Sequence, residues 1–131
     1  MKKYRNSRGE TEYYHDLEAG FIALEAGVDF CKRHEGTHDN RIRTMLFPYM
    51  FDACSAGLLE ETRRKADELD VPVHMHAAQY LPEYYESIRR YGKTPVDHLR
   101  SLGLLGPHLI ADHCVHIKEG EIKLLSEKGV K

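Results

Sequence analysis

The chain has 131 residues, 41% hydrophobic and 31% charged, the size and balance of one globular unit or of a part of a larger one. With 19 basic and 21 acidic residues interleaved, the net charge of -2 gives no electrostatic footprint for nucleic acid, which is excluded as an expected partner. No apolar run approaches the ~20 residues of a membrane span, and the basic start M-K-K-Y-R has no apolar stretch behind it, so no membrane contact, no secretory signal and a cytoplasmic location are expected.

Residues 1–11 are mostly polar and are expected to be poorly anchored, within a single domain covering 1–131. Leu17, Phe21, Leu24, Val28 and Cys31 then form one apolar stripe at the helical period, which predicts a helix over 12–33. A polar link, E-G-T-H-D-N, leads to a run over 41–49 that grows more apolar toward Pro48. That run reads as a strand, and its end as another edge of a site. Leu58, Leu59, Thr62, Ala66 and Leu69 mark a second amphipathic helix, whose E-E-x-R-R-K face is solvated.

The stretch 71–79, V-P-V-H-M-H-A-A-Q, has strand length and carries His74 and His76 in its C-terminal half. Pro82 suits the first turn of a following helix through Tyr85 and Ile88, closed by Gly92. T-P-V-D starts another, with Thr94 as N-cap and Asp97 reaching back to complete a capping box. After Gly103 and Gly106-Pro107 comes a second strand-length run over 109–117, L-I-A-D-H-C-V-H-I, with His113 and His116. A last helix over 118–128 turns Ile122, Leu124 and Leu125 inward and ends at Gly129, and Val130 begins another strand. Repeated β-α organisation without a hairpin signal predicts a parallel sheet, with the two histidine strands as neighbours.

Three cysteines, Cys31, Cys54 and Cys114, are widely spaced with no C-x-x-C pair, which argues against a disulfide framework and against a thiolate zinc site. Nine histidines are many for this length. His15, His34, His38, His98 and His108 fall in loops or on helix surfaces and need no function. His74 and His76 are two apart and share a strand face, opposite Val73 and Met75. If the apolar pair meets the flanking helices, the imidazoles look the other way, toward the side where a divalent ion would be held. The spacing leaves two readings open for His76 with His113, a ligand pair or hydrogen-bonded strand histidines. Two histidines alone do not hold a catalytic metal.

The runs V-H-M-H-A-A-Q, then Y-G-K-T-P-V-D-H-L-R-S-L-G-L-L-G-P, then A-D-H-C-V-H-I-K-E-G-E-I-K-L-L resemble the metal-dependent amidohydrolase superfamily, in its branch of cytosine deaminases, chlorohydrolases and related deaminases. The likeness covers roughly 41–131. It implies an α/β fold, a partial (β/α)₈ TIM barrel of three to four parallel strands taken from about the middle half of the whole. By position it makes His76 and His113 metal ligands, and it implies a divalent ion, zinc or else iron. It further implies hydrolysis of C–N or C–Cl bonds in a small nitrogenous heterocycle or amidine by metal-activated water. Gln79, His116 and His74 are then the expected substrate-binding residues.

The chain departs from that pattern at three places. Gln79 stands where many deaminases of the family have a proton-shuttling glutamate, and a glutamine hydrogen-bonds but does no acid–base work. Asp112 stands where a small apolar residue is usual. The first-strand His-x-His pair and the eighth-strand aspartate have no counterpart in 131 residues, whereas a whole barrel needs about 250. No residue of this chain is therefore assigned as catalytic, and weak activity in isolation is expected. The rival reading is a non-catalytic partial barrel, an assembly or binding module that covers its sheet edges by self-association or with a complementing chain.

Overall fold

The computed structural model describes residues 2–5, 7–9, 11–14 and 16–131. It begins with an antiparallel pair, β1 (Lys2–Arg5) and β2 (Thr11–Tyr14), joined through Gly9 at a φ of 77°. No turn dipeptide announces this hairpin, and none was expected. The expectation for 1–11 falls partly on Met1, Asn6 and Glu10, which with His15 lie outside the described residues.

Helix α1 (Leu17–His34) starts at residue 17 and not at 12, because the carboxylate of Asp16 accepts the backbone N–H of Ala19 at 3.0 Å and caps it there. Leu24, Val28 and Cys31 of the expected stripe are buried, whereas Leu17 and Phe21 remain 54% and 39% exposed. Leu17 borders a cleft of about 390 Å³ between α1 and the next helix, with Leu24, Phe47 and Leu58 among its walls. At the bottom of that contact a Cβ on Gly20 would lie 3.2 Å from Leu58, so glycine lets the helices approach.

The run expected as a strand over 41–49 is only partly one. Thr44 and Leu46 are buried and Met45 and Phe47 exposed, the alternation of a strand. Parallel bridges form at Leu46↔Val73 and Met50↔His76. Four residues on one side thus oppose three on the other (50 − 46 against 76 − 73), and the extra one falls where Pro48 has no N–H and Tyr49 takes a φ of 77°. A missing donor and a left-handed residue break the ladder there.

Helix α2 (Ala56–Leu69) is capped by Ser55, whose hydroxyl accepts from Leu58 N–H at 3.2 Å. It buries Leu59, Thr62 and Ala66, while Arg64 on the outer face pairs with Glu61 and Glu68. Strand β3 (Val73–Ala77) pairs in parallel with β4 (Leu109–His113), in the register Val73↔Leu109 to Ala77↔His113. Val73, Met75, Ala77 and Leu109 are buried against a core that includes Val28, Leu59 and Leu99. On the far side of β4, Lys131 donates its N–H to Leu109 O at 3.0 Å and accepts from Ala111 N–H at 2.8 Å, the spacing of a further parallel neighbour. The order across the sheet is the 46–50 run, β3, β4 and Lys131.

Between the strands lie α3 (Leu81–Tyr91) and α4 (Pro95–Ser101), and α5 (Glu119–Glu127) follows β4. Gly92, at a φ of 64°, closes α3 by donating to Ile88 O, and Thr94 caps α4 with Pro95 in its first turn. Three expectations need correction here. Asp97 does not complete a capping box but pairs with Arg100 at 3.1 Å. His98 is not on a helix surface: α4 buries it beside Leu99, with its ring flat on Tyr91. On α5, Ile122 is 55% exposed and Glu121 is the buried residue, because its carboxylate accepts from Lys118 N–H at 2.7 Å and from the Thr94 hydroxyl.

Candidate functional site

Strand alternation sends Val73, Met75 and Ala77 into the core, so His74 and His76 stand on the opposite face, half-buried. Aromatic residues of the 46–50 run wall them on one side. Phe47 stacks on His74 with ring centroids 5.0 Å apart, and Phe47 and Tyr49 both meet His76 edge-on, at 5.2 and 5.5 Å. The end of that run is therefore an edge of the site.

Alternation alone would put His113 on the core face with Leu109 and Ala111. Instead His113 and Cys114 take φ values of 72° and 48°, which turn the chain at the end of β4. The ring swings over to the side of His76, and His113 Nε2 lies 3.1 Å from His76 Nδ1. Asp112 is the register partner of His76 and shares its face. Its Oδ2 is 2.7 Å from His74 Nε2 and 3.6 Å from His76 Nδ1. The hydrogen bond from His74 holds the Asp112 carboxyl below the usual carboxylate range; burial opposes it, and electrostatic attraction to the three imidazoles adds to it.

The loops beyond the two strands are tied to each other. Cys114 N–H donates to Ala77 O at 3.1 Å and His116 N–H to Ala78 O at 2.9 Å, which sets His116 beside the residue that precedes Gln79. Ala78 itself is left-handed, at a φ of 50°. Its N–H and that of Gln79 donate to the carboxylate of Glu83, at 2.8 and 2.7 Å. Next along, the Tyr80 hydroxyl donates to Asp52 at 2.8 Å, and Arg90 reaches the carbonyls of Asp52 and Cys54 from α3. Burial, with the Asp52 charge adding to it, pushes the Cys54 thiol up to about 12, so it is neutral.

The structure thus brings His74, His76 and His113 together at one edge of the sheet. Gln79 and His116 sit in the adjoining loops, half-buried, held by their backbones. Asp112 joins the imidazoles although the sequence marks it only as unusual. Glu83 is a second residue that the sequence reading passed over; a glutamate three residues after the residue preceding the helix was its signal. One donor atom from each of His76, Asp112 and His113 lies within 4.8 Å of the others, a set of two imidazoles and a carboxylate suited to zinc and similar divalent ions.

A parallel α/β sheet with its polar cluster at the C-terminal strand ends defines a protein of the barrel or doubly wound α/β class. Residues 23–131 match the model of the amidohydrolase family, to which the chain belongs. It is 42% identical over 116 residues to a 5′-deoxyadenosine deaminase of Methanothermobacter thermautotrophicus, a match covering 88% of this chain and 27% of that protein. It is 35% identical over 111 residues to a 5-methylthioadenosine/S-adenosylhomocysteine deaminase of Desulfitobacterium hafniense, over 85% of this chain and 26% of that one. An adenosine deaminase from Xanthomonas campestris, solved with bound zinc, superposes with a TM-score of 0.76 at 32% identity, over 82% of this chain and 24% of the other. The chain spans about a quarter of the length of the curated relatives it matches. Its fold is α/β, a part of a TIM-type barrel. Among the described residues no helix is long and apolar enough to cross a membrane.

Proposed function

We propose that this chain carries the β3–β4 portion of a metal-dependent amidohydrolase that hydrolyses a C–N bond of a small nitrogenous substrate, an adenosine-type nucleoside being favoured by the relatives' names. The observation that carries the reading is the 3.1 Å approach of His76 Nδ1 to His113 Nε2 at the ends of adjacent parallel strands. Imidazole ring nitrogens meeting across adjacent strands suit a shared divalent ion, and zinc is favoured over iron by the zinc-bound structural relative. When bound, such an ion supplies the Lewis acidity that makes water a nucleophile at neutral pH.

The remaining work falls to the chain's own groups. His76 and His113 bind the ion. The amide of Gln79 donates to or accepts from a ring nitrogen or exocyclic amine but moves no proton. His116 contacts the substrate from the second loop. His74, with Nε2 engaged by Asp112 and its face on Phe47, keeps only Nδ1 and the ring edge for the substrate.

Two measurements test this. Elemental analysis after zinc loading is expected to find about one ion per chain, lost in His76→Ala and in His113→Ala; retention by both variants overturns the ligand assignment. Binding of 5′-deoxyadenosine and 5-methylthioadenosine to the zinc-loaded protein, followed by calorimetry, tests the substrate, and zinc-loaded protein that binds neither overturns that part.

A further inference from the structure

We infer that Asp112 is a third donor to the ion held by His76 and His113, so that two adjacent strands of this chain hold the ion by themselves. The inference rests on the reading of those two histidines as ligands and adds to it a residue that stands where a small apolar one is usual.

The distances carry it. Two donors to a tetrahedral zinc, each about 2.0–2.1 Å from the ion, are about 3.3–3.4 Å apart. His76 Nδ1 is 3.1 Å from His113 Nε2 and 3.6 Å from Asp112 Oδ2, so both edges that meet at His76 bracket that spacing. The third edge, between Asp112 and His113, is at most 4.8 Å. Three protein donors with one position left for water or substrate is the composition of a catalytic zinc site, whereas two are too few.

The backbone is arranged to the same end. Asp112 and His113 are consecutive, and in a continuing strand they would point to opposite faces. The left-handed turn at His113 and Cys114 sends both side chains to one side, and non-glycine residues in that conformation gather where a site requires them. His74 completes the arrangement. Its Nε2 holds Asp112 Oδ2 at 2.7 Å, and its ring is fixed on Phe47, so the carboxylate is oriented before any ion arrives. A carboxylate has lone pairs enough for both partners.

The test is the affinity of the purified chain for zinc by competition with a chromogenic chelator, together with the visible spectrum of the cobalt(II) form. Asp112→Asn keeps the size and an acceptor for His74 but removes the charge; Asp112→Ala removes the donor; Asp112→Glu restores a carboxylate. The first two are expected to weaken zinc binding on the order of tenfold or more and to alter the cobalt spectrum, while Asp112→Glu recovers much of the affinity. Thermal midpoints of the metal-free variants, measured alongside, show whether each is folded; if Asp112→Ala is not, Asp112→Asn decides. Unchanged affinity and spectrum in folded Asp112 variants, with loss in His76→Ala and His113→Ala, overturns the role of Asp112 alone. Unchanged affinity in the histidine variants, or no zinc binding by the parent chain, overturns the two-histidine reading and this inference with it.

Discussion

Glu83, wholly buried in the first turn of α3, accepts the backbone N–H of Ala78 at 2.8 Å, two residues beyond His76. A second bond from Gln79 N–H at 2.7 Å makes this one carboxylate the anchor of the turn that follows the histidine strand. Buried donors left without a partner cost ~1–3 kcal/mol each. Glu83→Ala is therefore expected to destabilise the fold by roughly 2–4 kcal/mol, the lower part of the range for two donors, because Gln79 is only half-buried. Urea unfolding of the variant measures it, and a loss below half a kcal/mol would show that the turn holds itself.

His98 answers a different question, that of pH. Its ring lies on Tyr91 with centroids 3.7 Å apart and edge-on to Phe51, and neither ring nitrogen has a hydrogen-bond partner among the described residues. Burial first, then the charges of Lys93 and Arg90, push its pKa below the ordinary 6.5. The unfolded chain therefore takes up the proton before the folded one does. The stability associated with neutral His98 is complete above about 6.5 and declines as pH falls through the folded-state value. His98→Phe keeps an aromatic ring there and cannot titrate. Unfolding free energies followed from pH 7.5 downward are expected to fall for the parent chain and to stay flatter for the variant. Parallel curves would mean that His98 does not titrate between the two states.

What could be read from residues and what could not divide along physical lines. β3, β4 and their parallel pairing were legible because two short apolar runs with helical spacing between them admit few other topologies. Thr94, Pro95 and Gly92 announced the ends of α3 and α4 through side-chain and backbone preferences that act locally. The 41–49 run was legible as extended chain but not in its failure to pair regularly, which depends on where Pro48 and Tyr49 fall against β3. The common edge of His76 and His113 was legible from the β-α-β order, whereas their pairing as ligands came from family resemblance. Period-two alternation points His113 the other way, and nothing in H-C-V-H declares a left-handed turn at two non-glycine residues. Ile122 was expected inward on hydrophobicity alone, which takes no account of the two hydrogen bonds that draw Glu121 in.

Met75 lies between His74 and His76 on the opposite face and is completely buried. Removing its side chain leaves a cavity behind the histidines and no exposed change in front of them. Met75→Ala is expected to cost 2–5 kcal/mol, within about the range for large-to-small core substitutions. Met75→Leu, close in volume, is expected to cost less than about 1.5 kcal/mol. Chemical denaturation of the two variants measures the difference. Equal losses would show that the site of Met75 tolerates no change of shape, and a negligible loss for alanine that the strand is not packed as described.

Glu35, which follows the last residue of α1, gathers the start of the extended run that walls the histidines. Its carboxylate accepts the hydroxyl of Thr44 at 2.6 Å, the backbone N–H of the same residue at 2.5 Å, and Nε of Arg43. These bonds, that of the Thr44 hydroxyl foremost, hold its pKa down at about 2 against an ordinary 4.5. With the folded-state value depressed, the contribution of Glu35 is fully present above about 4.5 and is lost as the pH falls from there through about 2. Glu35→Gln removes that titration and leaves one carbonyl acceptor for Thr44. The stability gap between parent and variant is expected to be widest above pH 4.5 and to close steadily toward pH 2, as followed by urea unfolding at a series of pH values. A gap that stays constant with pH would assign the effect to packing instead, and the run carrying Phe47 and Tyr49 would then be held to β3 by its own bridges at Leu46 and Met50 and not by the end of α1.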